Sequence, residues 1–292
     1  MPILKVIVLA IVQGLAELLP VSSSAHVVVA EKLMGLDPSS PQMTLLLVML
    51  HTGTMFAVIA YFWKQWQKTF FASSDAFKRF AIRAIWATAL TLVIGYAIKT
   101  GIEKTMFRGL PKAEIEDLFG RLDLIAPALL AAGIVILIAG LREKNAETSQ
   151  AFGNSVTMRQ AGWIGAVQGL CLPFRGFSRS GATISTGMLA GASKERAERF
   201  SFALAVILTP PVVAREALRL VKASHEAAAS GASIDLGSSV VTSLLGAFFA
   251  FLAGLVALRW LSSWLESGRW YWFGVYCLVA SAVVFYLHHL GY

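Results

Sequence analysis

Two stretches decide how this chain folds. One is Gln13-Gly14-Leu15-Ala16-Glu17-Leu18-Leu19-Pro20-Val21-Ser22-Ser23-Ser24-Ala25-His26; the other is Gln168-Gly169-Leu170-Cys171-Leu172-Pro173, running on to Phe177-Ser178-Arg179-Ser180-Gly181-Ala182-Thr183. Both begin Gln-Gly-Leu, pass through a proline and end in a serine-rich turn that opens a helix. Each breaks an otherwise apolar region, at 3–36 and 161–192. The arms on either side have roughly 10–16 residues, fewer than the ~20 a bilayer crossing needs, so they suit re-entrant hairpins. Irregular backbone at membrane depth is tolerated only where protein or water covers it.

Outward from these interruptions the chain is apolar. Of its 292 residues 57% are hydrophobic and 14% charged, and the mean hydropathy is +0.67. Soluble domains carry about 25% charge, so a single globular core cannot absorb this composition, and a polytopic helical membrane protein is expected. Six stretches have the length and composition of spans: 42–63, 83–100, 122–141, 200–219, 238–258 and 270–290. Cys171 and Cys277 lie singly in apolar stretches, which argues against a disulfide scaffold or a zinc site. The first apolar run contains Gln13 and Glu17 and lacks a basic leader beyond Lys5, so no cleavable signal peptide is expected.

The net charge of +8 fits Lys/Arg-rich loops facing a cytoplasm and its anionic lipids, and no nucleic-acid partner is expected. Segment 64–83 carries Lys64, Lys68, Lys78, Arg79 and Arg83 against Asp75. Segment 142–160 carries Arg142, Lys144 and Arg159; 193–199 carries Lys194, Arg196 and Arg199; 259–269 carries Arg259 and Arg269. The span order puts all four on one side, read as cytoplasmic. The opposite loop, 101–121, offsets its basic residues with Glu103, Glu114, Glu116 and Asp117. The first hairpin then enters from outside and the second from the cytoplasm, each followed by three spans. The expected architecture is one integral membrane domain, 1–292. It is an inverted-topology repeat of 1–141 and 161–292, and such repeats place their site near the midplane where the broken elements meet.

Polar groups at that depth are costly and read as functional by default. The serine turns place helix N-termini, with free N–H groups and a positive dipole end, where an oxyanion or phosphate can bind. Arg179 adds a guanidinium that matches phosphate oxygens bidentately. Gln13 and Glu17 share a helix face at i, i+4, and Ser23 and His26 at i, i+3. Together they suit phosphoryl chemistry, with a carboxylate, a nucleophile or proton carrier and anion clamps. Plainer readings stand beside this one. The serines could hydrogen-bond neighbouring backbone, Glu17 and Arg179 could form a structural ion pair, and Arg175 could anchor its turn. Glu31, Lys32, His51 and Thr52 are expected at interfacial or packing positions, and Trp63, Trp66, Trp260, Trp264, Trp270 and Trp272 in an interface belt. The small-residue run Ala247 to Gly254 permits helix–helix contacts, including those of a homodimer.

Glu-Leu-Leu-Pro-Val-Ser-Ser-Ser-Ala-His at 17–26 and Gly-Phe-Ser-Arg-Ser-Gly-Ala-Thr-Ile-Ser at 176–185 resemble the two signature motifs of the bacitracin-resistance-type undecaprenyl-diphosphate phosphatases. Ala-Glu-Arg-Phe-Ser-Phe-Ala-Leu-Ala at 197–205 extends the resemblance. It implies six spanning helices plus two re-entrant hairpins. It also implies removal of the terminal phosphate of undecaprenyl diphosphate at the outer face of the bacterial inner membrane. That recycles the lipid carrier for cell-wall synthesis, gives bacitracin resistance and depends on a divalent cation, Mg²⁺ or Ca²⁺. By the same resemblance Glu17 is the second acid of the first motif, Ser23 the proposed nucleophile, and His26 the acid–base partner or nucleophile. Ser178 and Arg179 are the phosphate-binding pair, and Ser22, Ser24, Ser180 and Thr183 orient the diphosphate. Gln13 stands where the family commonly has glutamate and would hold the metal with Glu17. Val206-Ile207-Leu208-Thr209 precede Pro210-Pro211, so that helix is expected to break at a different place from the family's.

A transporter or flippase of a phosphorylated polyprenyl lipid is the alternative, since broken helices in inverted repeats also serve transport. Ser23 with His26 beside a cation site is the feature transport does not need. A paralogue that only binds lipid diphosphate is a third reading, allowed by Gln13.

Overall fold

The computed structural model describes residues 2–37, 40–106, 115–145, 155–229, 236–265 and 269–292. Among these residues the fold is all-α. The helices are α1 (Ile3–Leu18), α2 (Ser23–Leu33), α3 (Pro41–Thr69), α4 (Ser74–Met106), α5 (Leu122–Asn145), α6 (Met158–Cys171), α7 (Arg179–Leu189), α8 (Lys194–Ala229), α9 (Leu236–Leu265) and α10 (Tyr271–His289), with a short 3-10 turn at Ile115–Leu118 before α5. Six of them, α3, α4, α5, α8, α9 and α10, are long and apolar enough to cross a membrane. They fall on the six expected stretches; five run past them, because helix geometry continues beyond the hydrocarbon-like core of each segment, and α10 fills 271–289 of the expected 270–290. Glu114 lies outside the described residues, as do the side chains of Glu116, Asp117, Lys144, Trp260 and Trp264.

The two interruptions become paired short helices, α1–α2 and α6–α7. Local chemistry starts them. Thr157 caps α6 in a reciprocal box with Gln160, and the Ser178 hydroxyl accepts from the Gly181 N–H at the start of α7, satisfying donors a helix start leaves bare. The two pairs seat in reciprocal fashion, α1 against α9 and α6 against α4. The repeated Gln-Gly-Leu explains the fit. A Cβ on Gly14 would lie 2.5 Å from the Ala253 Cβ, and one on Gly169 would lie 2.9 Å from the Thr91 carbonyl oxygen. Where lipid removes most of the hydrophobic drive between helices, such close backbone approach is what holds them.

The same logic governs α3, which packs on α8 and α9, and α10, which packs on α5. A Cβ on Gly53 would lie 2.0 Å from the Ala247 carbonyl oxygen, and one on Gly254 3.0 Å from the Ala57 Cβ. The Ala247–Gly254 run therefore takes its contacts from α1 and α3 within the chain.

Two local expectations are corrected. α8 continues through Pro210 and Pro211 without ending. Each proline removes one N–H from the ladder, so the α8 backbone is partly released where Val206, Leu208 and Thr209 face a cavity. The described tryptophans of the expected belt are divided between surface and interior. Trp63 and Trp272 are exposed, whereas Trp66 and Trp270 are buried, and the Trp270 indole N–H donates to the Ser185 hydroxyl at 3.0 Å.

Candidate active site

The turns of the two short-helix pairs meet each other. The Gly176 N–H donates to the Ser24 hydroxyl at 3.3 Å, and the Ser180 hydroxyl lies 3.4 Å from the carbonyl oxygens of Glu17 and Leu19. Gly176 has φ +99° and would carry a Cβ 2.6 Å from the Ile125 carbonyl oxygen, so both conformation and space call for glycine there. In the first turn Ser22 adopts φ +68°, a region that costs a non-glycine residue about 1–2 kcal/mol. The Ser22 carbonyl lies 2.8 Å from His26 Nδ1, and that contact offsets part of the strain.

This junction forms one wall of a cavity of about 530 Å³. The Glu17 carboxylate lines it. Arg179 Nη2 donates to Glu17 Oε1 at 2.5 Å, across 162 residues of sequence. Three groups converge on Oε2: the Ser23 hydroxyl at 2.5 Å, Gln13 Nε2 at 3.1 Å and His51 Nε2 at 3.3 Å. The charge of Glu17 is thus matched by one guanidinium and surrounded by hydrogen-bond groups, which is how a carboxylate becomes tolerable at depth.

The arrangement offers an acyl- or phosphoryl-type nucleophile, Ser23, bonded directly to a base. Beside it lies an anion cradle at the N-terminus of α7, whose first N–H groups have no intrahelical partner. Arg179 Nη1 has no hydrogen-bond partner among the described residues, so the guanidinium keeps donors to spare after pairing with Glu17. Lys99 and Arg175 also line the cavity.

Of the residues singled out from the sequence, Glu17, Ser22, Ser23, Ser24, Ser178, Arg179 and Ser180 line the cavity. Gln13, Thr183 and His26 do not. Gln13 is fully buried behind Glu17, with Oε1 unpartnered among the described residues. Thr183 points into the packing behind α7 and bonds Ser201 at 2.7 Å. His26 turns away from Ser23. Its ring stacks on Tyr276 of α10 with Nε2 2.6 Å from the phenol oxygen. Ser23 and His26 neighbour one another along α2, but the cavity touches only the Ser23 edge of that helix. His51, expected only to pack, instead reaches Glu17. The signal available in the sequence was a titratable side chain in the middle of a span.

A divalent cation can be tested against these donors. Among the described residues no three His, Cys, Asp or Glu side chains form a metal cluster. Glu17 supplies one carboxylate; Gln13 turns its Nε2 to that carboxylate and lies off the cavity lining, with its Oε1 unpartnered among the described residues. That is too few for an all-protein cage, yet it fits a hard ion held by one or two side-chain oxygens with phosphate oxygens and water completing the shell.

Residues 6–283 match the family described as Bacitracin resistance protein BacA. The chain is 55% identical over 285 residues to undecaprenyl-diphosphatase 2 of Acinetobacter baylyi, covering 97% of each protein. It is 33% identical to the undecaprenyl-diphosphatase of Christiangramia forsetii, covering 98% of each. It is 34% identical to undecaprenyl-diphosphatase 2 of Burkholderia ambifaria, covering 96% of this chain and 94% of the relative.

Proposed function

The chain belongs to the bacitracin resistance protein BacA family, and from that premise we propose that it hydrolyses undecaprenyl diphosphate to undecaprenyl phosphate and inorganic phosphate at the Glu17–Ser23–Arg179 junction. The observation that carries this reading is the convergence of Ser23 and Arg179 on one carboxylate at a cavity wall.

In this mechanism the Arg179 guanidinium, the first N–H groups of α7 and the hydroxyls of Ser178 and Ser180 bind the terminal phosphate. Ser22 and Ser24 orient it from the first turn, and His26 braces that turn from behind through the Ser22 carbonyl. Thr183 ties α7 to α8 through Ser201. Ser23 attacks the terminal phosphorus while Glu17 takes the hydroxyl proton, and the bond to the bridging oxygen breaks with its electron pair on the lipid monophosphate. Water then releases inorganic phosphate. Direct attack by a water bonded to Glu17 is the variant without a phosphoserine. Donors fixed where charge develops supply most of the stabilisation in such reactions. Glu17 and Gln13 would hold Mg²⁺ or Ca²⁺, which supplies charge neutralisation on the diphosphate.

The prenyl chain leaves between helices. Leu92 and Tyr96 of α4 and Leu208 and Val212 of α8 line the cavity on its apolar side, and each buried CH₂ of a polyprenyl tail contributes about 0.8 kcal/mol. The cavity also reaches Lys99 near the end of α4 and Phe119 before α5, the side that loop charge assigns to the outside. In this reading the site opens to the periplasmic face of the inner membrane, with α1–α2 and α6–α7 as the re-entrant hairpins of an inverted repeat, 1–141 and 161–292. The reciprocal seating of α1 on α9 and α6 on α4 supports that repeat.

Phosphate release by the purified protein in detergent, with undecaprenyl diphosphate and Mg²⁺ or Ca²⁺, tests the reading. Release by the wild type and its loss in Arg179→Ala and Arg179→Lys is expected. Full release by Arg179→Ala refutes the placement of the phosphate. Lipid binding without release points instead to a binding or transport role.

A further inference from the structure

The cavity is lined by more positive than negative charge. Among the described residues its charged lining is one carboxylate, Glu17, and four cations, Lys99, Arg175, Arg179 and Arg215. Arg179 is matched by Glu17, so any acid that answers the other three lies off the lining. A cleft lined by one sign of charge gathers ligands of the opposite sign. A diphosphate brings two phosphate groups, and the site described above engages the terminal one.

Of the three remaining cations Arg175 is the one built into the junction. It stands in the second turn, four residues before Arg179. The next residue, Gly176, donates its N–H to the Ser24 hydroxyl at 3.3 Å and holds a φ of +99°, so the backbone beside Arg175 is pinned against the first turn. The side chain is held as well. Its Cζ lies 4.3 Å from the centroid of the Phe119 ring, a contact that holds a guanidinium through its charge and consumes no N–H donor. Lys99, by contrast, pairs with Glu103 on its own helix at 3.5 Å, and Arg215 is exposed on α8. A plainer role for Arg175 is to balance Glu31, which is buried on α2 and within electrostatic reach of it. Glu31 lies off the cavity lining, however, whereas Arg175 is part of it. Glu31 Oε2 has no hydrogen-bond partner among the described residues, so the guanidinium fork is not closed on that carboxylate in a two-pronged pair.

We propose that Arg175 is a second phosphate subsite of this cavity, beside the one at Arg179, with Phe119 and Glu31 positioning its guanidinium. The proposal rests on the phosphatase reading above and names a further residue of that same site. The chemistry it takes is that of phosphate oxygens, which a planar guanidinium binds through two parallel N–H···O bonds. The reaction supplies such a group from two sources. One is the lipid-side phosphate, which gains the electron pair when the bond to the bridging oxygen breaks. The other is the released inorganic phosphate, leaving along the part of the cavity that reaches Phe119. In both cases Arg175 holds a phosphate that Arg179 does not, so the two arginines differ in which product they recognise.

The test compares the full-length wild type with Arg175→Lys, Arg175→Gln and the double variant Arg175→Gln with Glu31→Gln, all in detergent. Phosphate release from undecaprenyl diphosphate gives KM and the inhibition constants of the two products, undecaprenyl phosphate and inorganic phosphate. The rise in melting temperature that each product causes reads the same binding without turnover. Arg175→Gln is expected to raise at least one of the two inhibition constants by about ten- to a hundredfold, the loss that follows removal of hydrogen bonds to a charged group. Arg175→Lys keeps the charge without the fork and is expected to lose less. A rise for undecaprenyl phosphate, with KM rising alongside, assigns the subsite to the lipid-side phosphate; a rise for inorganic phosphate assigns it to the departing one. The double variant separates this role from charge balance alone. It removes both members of the pair, so it is expected to recover any melting temperature lost in Arg175→Gln and to keep the weakened product binding. Wild-type constants for both products in Arg175→Gln overturn the proposal, and so does their recovery in the double variant. Absence of release by the wild type is a different failure, that of the phosphatase reading. The subsite is then decided by melting temperature: a product-induced rise that Arg175→Gln abolishes upholds it, and a rise that persists, or none in the wild type, overturns it.

Discussion

The turn between α1 and α2 and the turn between α6 and α7 start from the same three residues and end with opposite charge. Gln13 and Gln168 are both fully buried with Oε1 unpartnered among the described residues. Gln13 Nε2 bonds Glu17 on its own helix, whereas Gln168 Nε2 reaches Thr91 on α4 at 3.2 Å. Four residues on, the first helix carries Glu17, whereas Leu172 stands just past the end of the second. The second turn contributes Arg179 instead. The scaffold is shared between the two pairs, and the polar groups are divided: a carboxylate and a hydroxyl in one, a guanidinium and a helix N-terminus in the other.

The largest effect that bears on this division is removal of its cation. Arg179→Ala is expected to lower phosphate release by about a hundred- to a thousandfold. Exchanging the charges, Glu17→Arg with Arg179→Glu, is not expected to restore turnover, because Ser23 would then face a guanidinium. Recovery in that double variant, read in the same assay, would break the comparison. Next comes the base: Glu17→Gln is expected to cost about a hundredfold or more in kcat while the fold, followed by thermal unfolding in detergent, persists. The two glutamines separate the turns more finely. Gln168→Glu places an acid against Thr91 with no cation bonded to it, and a loss of roughly 3–5 kcal/mol of stability is expected. Gln13→Glu adds an oxygen ligand beside Glu17, and a lower Mg²⁺ concentration for half-maximal activity is expected, with chelation by EDTA abolishing release in both proteins. Equal behaviour of the two variants in unfolding and metal titration would erase the distinction. The smallest effects test what the turns share. Gly14→Ala and Gly169→Ala are expected to cost a similar ~1–3 kcal/mol, since each new Cβ meets a neighbouring helix within 3 Å. A large disparity in their melting temperatures would show that the two seats are not equivalent.

The spans were legible because bilayer crossing depends on length and composition within one segment, which 122–141 or 270–290 carries on its face. Glu17, Ser23 and Arg179 were legible for the converse reason, as polar groups in apolar surroundings. His51 was passed over although it obeys the same rule, because it sits in an ordinary span with Thr52 and Thr54 rather than in a broken one. His26 and Thr183 lie within a few residues of cavity-lining side chains yet turn to other partners, Tyr276 and Ser201. A helix that borders a cavity shows it only one edge, and local spacing does not say which.

The sequence by itself determined that this chain is a bundle of six apolar helices with two polar, proline-broken interruptions, since each of those properties is written within some 20 neighbouring residues. The tertiary structure alone decided which edges of those helices meet. It brought Arg179 to Glu17 across 162 residues, drew His51 in from α3, and turned His26 out towards α10. The rotation of a helix about its axis is set by how its small and large side chains seat against partners distant in sequence, and no single segment contains that information.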